Sequence, residues 1–105
     1  MIARIWHGWT TPQNADIYED LLKTEILPGI FAKKIAGLRG IELLRRQYNG
    51  EVEFVTIMRF DAIDDVIAFV GVDFEQAYVP LAARKVLKRF DQRSAHYEVR
   101  EDRSA

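Results

Sequence analysis

Asn49-Gly50 separates two long runs rich in apolar and β-branched residues, Leu38 to Tyr48 and Glu51 to Phe60. This dipeptide is the one that most readily supplies the two positive φ values of a type I′ turn, so the pair of runs reads as a β-hairpin. A hairpin of that length needs further strands or helices to bury its apolar face, and the rest of the chain is read for what provides them. Ile2 to Thr10, rich in Ile and Trp, reads as a strand that ends at Thr10-Thr11-Pro12. Thr11 is placed as the N-cap of a helix, with Pro12 at the first helical position, where its missing N–H is harmless. Tyr18, Leu21, Leu22 and Ile26 then form one apolar stripe, and Pro28-Gly29 predicts a kink or fresh start before an exit at Ala36-Gly37.

After the hairpin, Asp61 is expected to cap a short helix with Ile63, Val66, Ile67 and Val70 as its inner stripe and Gly71 as its stop. Asp73-Phe74-Glu75-Gln76 resembles a capping box, which predicts a second helical piece carrying Val79, Ala83, Val86, Leu87 and Phe90, with a break at Pro80. Ser94 to Arg100 alternates as a last strand, and 101–105 is expected to fray. The order β-α-β-β-α-β closes most simply as an α+β ferredoxin-like fold, a four-stranded antiparallel sheet with helices on one face and the first and third strands central. Residues 1–105 are read as a single domain.

Both faces of those central strands are apolar. In the third, Phe54, Thr56, Met58 and Phe60 alternate with Val55 and Ile57; in the first, Trp6 opposes Ile5 and Trp9. Helices on one side leave the other side bare, so a homodimer packed sheet to sheet is expected.

Composition then removes function classes. Fifteen Lys+Arg against 16 Asp+Glu give a net charge of −1, without the basic excess of a general nucleic-acid binder. Residues 84–105 are mildly basic, and Arg84, Lys85, Lys88 and Arg89 are read as one solvated helix face. The absence of cysteine rules out disulfides, thiolate catalysis and Cys-ligated zinc or iron–sulfur centres, and two histidines are few for a metal site. No apolar run reaches the ~20 residues of a spanning helix and the first residues do not read as a signal peptide, so a soluble, cytoplasmic protein without membrane partners is expected. Dinucleotide fingerprints, P-loops, nucleophile elbows and HExxH are absent, and no cofactor or metal is expected.

Four stretches, Ile2-Ala3-Arg4-Ile5-Trp6, Phe54 through Asp61, Asp73 through Tyr78, and His96-Tyr97-Glu98-Val99, resemble the antibiotic biosynthesis monooxygenase-like family of the dimeric α/β-barrel superfamily. The resemblance spans nearly the whole chain and implies a dimer with its pocket between helices and sheet. It also implies chemistry on small molecules, ranging from cofactor-free oxygenation to haem degradation. The three positions that mark the haem-degrading members, an Asn, a Trp and an iron-ligating His, fall on Trp6, Phe60 and Tyr78 here, and none is kept. The resemblance thus implies a pocket walled by Trp6, Phe60 and Tyr78 without a haem ligand.

Cofactor-free oxygenation of an electron-rich phenol or quinol needs a base or polar donors inside an aromatic cavity. His96 is the best base candidate because imidazole titrates near neutrality, with His7 second; either could equally be an edge or interface residue. Arg4 and Glu42, on strands of the same sheet, are read first as an internal ion pair and alternatively as a site for a polar substrate group, and Glu51 and Glu53 are read as solvated. Asp64 and Asp65 diverge by about 100° on a helix and are no carboxylate pair. The function expected is a cofactor-independent monooxygenase, an oxidoreductase of a small aromatic or quinol-like compound. The alternative is a non-catalytic ligand-binding dimer on the same scaffold.

Overall fold

The computed structural model describes residues 1–105 and builds one antiparallel sheet from β1 (Ile2–Thr10), β2 (Leu38–Tyr48), β3 (Glu51–Phe60), β4 (Arg89–Phe90) and β5 (Ala95–Glu98). The order is β2-β3-β1-β4, with β5 also on β1, so β4 and β5 lie end to end along the same edge. β4 pairs with Gly8 and Trp9, while β5 pairs with Ile2 through Ile5. The expected last strand is β5, whereas Arg89–Phe90, expected to close the second helical piece, forms the extra short strand β4 because it pairs with Gly8 and Trp9; the fold is ferredoxin-like. β1 and β3 are central, and the turn between β2 and β3 has φ of 54° at Asn49 and 76° at Gly50.

Thr11 caps as expected: its Oγ1 accepts from the Asn14 N–H at 3.3 Å over a short 3₁₀ turn, Pro12–Asn14, which leads into α1 (Ala15–Leu21). The helix then widens into a π segment, Leu22–Ile26, before α2 (Leu27–Ala32) restarts with Pro28 in its first turn. Pro28 has no N–H to give the preceding turn, and the widened ring accommodates that loss. The exit comes earlier than Ala36-Gly37, at Lys34, whose φ is 54°. Tyr18 and Leu22 are buried on the inner stripe, and the Tyr18 ring meets Phe54 of β3 edge-on at 4.9 Å.

The helix after the hairpin, α3 (Ile63–Val70), is capped differently from the expectation. The Ala62 N–H donates to Asp65 Oδ2 at 3.1 Å, whereas Asp61 is held by Arg39. Gly71 ends it with φ of 99°. The second piece largely fails to form: α4 is only Leu81–Arg84, and residues 71–80 run as an irregular strap. Asp73 pairs with Arg93 at 2.7 Å and Gln76 bridges to Arg93, so the residues of the apparent capping box are engaged by the far end of the chain. Arg84, Lys85, Lys88 and Arg89 consequently share no helix face, and Lys88 and Arg89 pair with Glu51 instead.

Two apolar clusters fill the space between helices and sheet, one around Trp6, Tyr18 and Phe54, the other around Phe60, Val66 and Phe69. The opposite face of the sheet carries no helix. Ile5, His7, Trp9, Val55 and Ile57 are half-buried there by their neighbours alone. No helix is long and apolar enough to cross a membrane.

Candidate functional site

A cavity of about 40 Å³ lies at the seam between the two clusters. Trp6, Tyr18, Leu22, Val79 and Ala83 contribute to it from one side and Ile30, Met58 and Phe69 from the other. Its position follows from the helical irregularities. Leu22, Ile26, Leu27 and Ile30 of its wall come from the π segment and the restarted α2, while Tyr78, Val79 and Pro80 come from the strap. Neither element offers a regular ridge to pack into the sheet, and a gap remains. The space suits a few waters and is far below the roughly 300–1,000 Å³ of pockets for drug-sized ligands. A ring enters only when a wall side chain moves aside, and Tyr78, 38 % exposed at the rim, is the wall residue nearest solvent among the aromatics.

The polar lining is sparse: Arg4, Thr56 and Ser94. Arg4 alternates in phase with Trp6 on β1 and so points inward, where it is 3 % exposed. Its Nη1 donates to the Phe74 carbonyl and lies 2.9 Å from His96 Nε2; Nη2 donates to the Gln76 carbonyl at 2.8 Å. No carboxylate pairs with it, and burial pushes its pKa down to about 10, which still leaves it charged at neutral pH. The expected Arg4–Glu42 pair does not exist. Glu42 stands on the other face of the sheet beside Arg59, at 3.4 Å. Ser94 is 4 % exposed, and its Oγ has no hydrogen-bond partner.

His96 sits behind Arg4 rather than on the cavity wall, edge-on to Phe74 at 5.2 Å. Burial first, and the Arg4 charge second, lower its pKa below the ordinary histidine value. A guanidinium only donates, so Nε2 is the accepting nitrogen and Nδ1 carries the proton, buried and without a partner. His7 faces away from the cavity. Its Nδ1 is 2.9 Å from Asp91 Oδ2, and its ring stacks on Trp9 at 6.0 Å on the open sheet face.

Of the residues that the sequence suggested for a pocket, Trp6 and Tyr78 line the cavity together. Phe60 is fully buried against Phe69, at 6.2 Å, and lies outside the lining. Tyr78 stands on the strap rather than on a helix, with its ring 4.9 Å from Phe69. The indole N–H of Trp6 donates to the Asp91 carbonyl at 2.9 Å, which fixes the ring as a wall. Glu51 and Glu53, read as solvated, are instead paired: Glu51 with Arg89 and Lys88, Glu53 with Arg46. Arg4, read as an ion-pair partner of Glu42 or a binder of a polar substrate group, stands on the lining without Glu42, and Ser94 was not singled out as a site residue. The parity of Arg4 with Trp6 was the available signal for Arg4; Ser94 has none in the sequence.

No protein-family model matches the chain, and no curated protein does. Solved structures share its fold. A candidate antibiotic biosynthesis monooxygenase from Bacillus cereus superposes with a TM-score of 0.67 at 18 % identity, over 99 % of this chain and 97 % of that one. The protein Rv0793 from Mycobacterium tuberculosis gives 0.63 at 19 % identity, covering 98 % of each chain. A dimeric ferredoxin-like protein from an uncultured marine organism gives 0.55 at 10 % identity, over 98 % of this chain and 91 % of that one. The chain therefore has the ferredoxin-like fold of these proteins along its whole length. At such identities the likeness carries the fold and leaves the reaction to the site.

Proposed function

We propose that residues 1–105 act as one unit, a cofactor-independent oxygenase that takes a small phenol or quinol into the cavity between Trp6 and Tyr78. The observation that carries this reading is the lining itself, an apolar and aromatic space between helices and sheet with three polar side chains gathered in it. The name of the Bacillus cereus neighbour, a candidate monooxygenase, supports the same class. The anion of such a substrate passes an electron to dioxygen, and the net change is SH2 + O2 → SO + H2O. The substrate supplies all four electrons that dioxygen takes up, so no external reductant enters the balance. In this reading Trp6 and Tyr78 hold the ring, and Phe60 backs the wall through Phe69. For His96 to take the substrate proton, its Nε2 must exchange Arg4 for the substrate hydroxyl.

The working form is proposed to be a homodimer that buries the open sheet face. Ile5, Val55 and Ile57 on that face and a neighbour described as dimeric support it.

A second reading, binding without turnover, is favoured by two observations: no carboxylate lines the cavity, and the His96 lone pair is already engaged. Oxygen uptake with a panel of quinols, run beside tryptophan fluorescence titrations with the same compounds, separates the two. Saturable uptake by colourless protein supports the oxygenase. Saturable quenching without uptake above buffer supports binding alone.

A further inference from the structure

We propose that Arg4 and Ser94 form an anion-binding end of the cavity, so that a phenolic ligand binds there as its phenolate, its proton already released to bulk water. The proposal rests on the cavity being the ligand site, but it assigns the charge state of the ligand and the residues that set it.

A guanidinium has five N–H donors. The Phe74 and Gln76 carbonyls and His96 Nε2 take three of those of Arg4, all of them neutral acceptors, and Nε has no partner. The charge is thus held largely out of water without a counter-charge, an arrangement that is unfavourable unless an anion completes it. Glu75, whose charge reaches His96, is itself engaged by Arg93 at 3.3 Å. Ser94, on the lining of the same cavity, has a second buried group with an unused hydrogen bond in its Oγ. A cation with spare donors and a free hydroxyl, on a lining whose remaining polar side chain is Thr56, together match an oxyanion on a hydrophobic ring. The same arrangement removes the need for a protein base, since an ionised phenol is selected from solution rather than deprotonated in place. Arg4 is then a binding residue, and His96 positions it by accepting one of its N–H bonds.

The test uses para-nitrophenol, whose neutral and ionised forms absorb at different wavelengths and whose pKa lies near neutrality. Titrated into the wild-type protein across pH, the bound dye is expected to ionise about one pH unit or more below the free dye, about a tenfold preference for phenolate. Ser94→Ala is expected to shrink that shift with the melting temperature unchanged. Arg4→Lys, which keeps the charge but loses the fork, is expected to shrink it further. A purely structural Arg4, tethering the strap, would lower the melting temperature without moving the dye's ionisation. A bound dye that stays neutral, a shift unmoved in both variants, or no binding at all overturns the proposal. If Arg4→Lys does not fold, an unmoved shift in Ser94→Ala alone overturns it. Oxygen uptake is followed in parallel with a quinol. An anionic bound dye without uptake leaves the anion site standing and removes the oxygenase reading, while uptake with a neutral bound dye does the reverse.

Discussion

Arg4 Nη1 and His96 Nε2 lie 2.9 Å apart, and because the guanidinium can only donate, this contact fixes the tautomer of the imidazole. The Nδ1–H form is expected to persist through neutral pH, read by the nitrogen chemical shifts of His96; an Nε2–H form would contradict the contact. A folded pKa below the ordinary 6.5 also fixes a sign. Below about 6.5 the unfolded chain binds a proton that the folded chain resists, so stability is full above that pH and falls as pH drops toward the folded value. Chemical denaturation at a series of pH values should show this slope, and it should be absent in His96→Gln.

The open sheet face gives a prediction about assembly. Ile57→Asp places an unpaired charge at its centre, and burying that charge between two sheets costs several kcal/mol. Light scattering at micromolar concentration is expected to give a dimer for the wild type and the 12.2 kDa monomer mass for the variant.

Gly37 has a packing reason to be glycine. A Cβ there would stand 2.1 Å from the carboxyl of Asp65, the group that accepts the Ala62 N–H at the start of α3. Gly37→Ala forces Asp65 off that bond, and a loss of about 0.5–2 kcal/mol, the usual worth of a helix cap, is expected in thermal unfolding. An unchanged melting temperature would show that Asp65 moves without cost.

Tyr78→Phe keeps the ring against Phe69 and removes the hydroxyl. If that hydroxyl bonds the ligand, quinol turnover and binding should weaken by about 1 kcal/mol, roughly fivefold. A wild-type rate and affinity would remove the hydroxyl from the site and leave only the ring.

Much of the fold was legible because its signals are local. Asn49 and Gly50 adopt the positive φ values their identities suggested, and the strands on either side run over the residues read as strands. The strap at 71–80 was not legible, because what shapes it comes from far along the chain. Arg4 takes the carbonyls of Phe74 and Gln76, and Arg93 takes the carboxylates of Asp73 and Glu75. Local spacing registers a capping box there, while those distant donors hold the backbone out of a helix. The site divides in the same way. Trp6 and Tyr78 came from resemblance and meet in one cavity, whereas Arg4 acquired its role from burial without a carboxylate, which depends on which face of the sheet Glu42 occupies. The irregular turns that leave the gap are likewise a tertiary outcome of Pro28 and the strap.

The two tryptophans report on different faces, Trp6 on the cavity and Trp9 on the open sheet beside His7. The most direct test of the central claim is therefore the fluorescence of Trp9→Phe, in which Trp6 is the sole indole, titrated with a small phenol. Saturable quenching of Trp6, weakened in Tyr78→Phe and Ser94→Ala, is the result expected of a ligand in the cavity. An unresponsive Trp6, with quenching confined to Trp9 in the Trp6→Phe variant, would place the ligand on the sheet face and contradict the account.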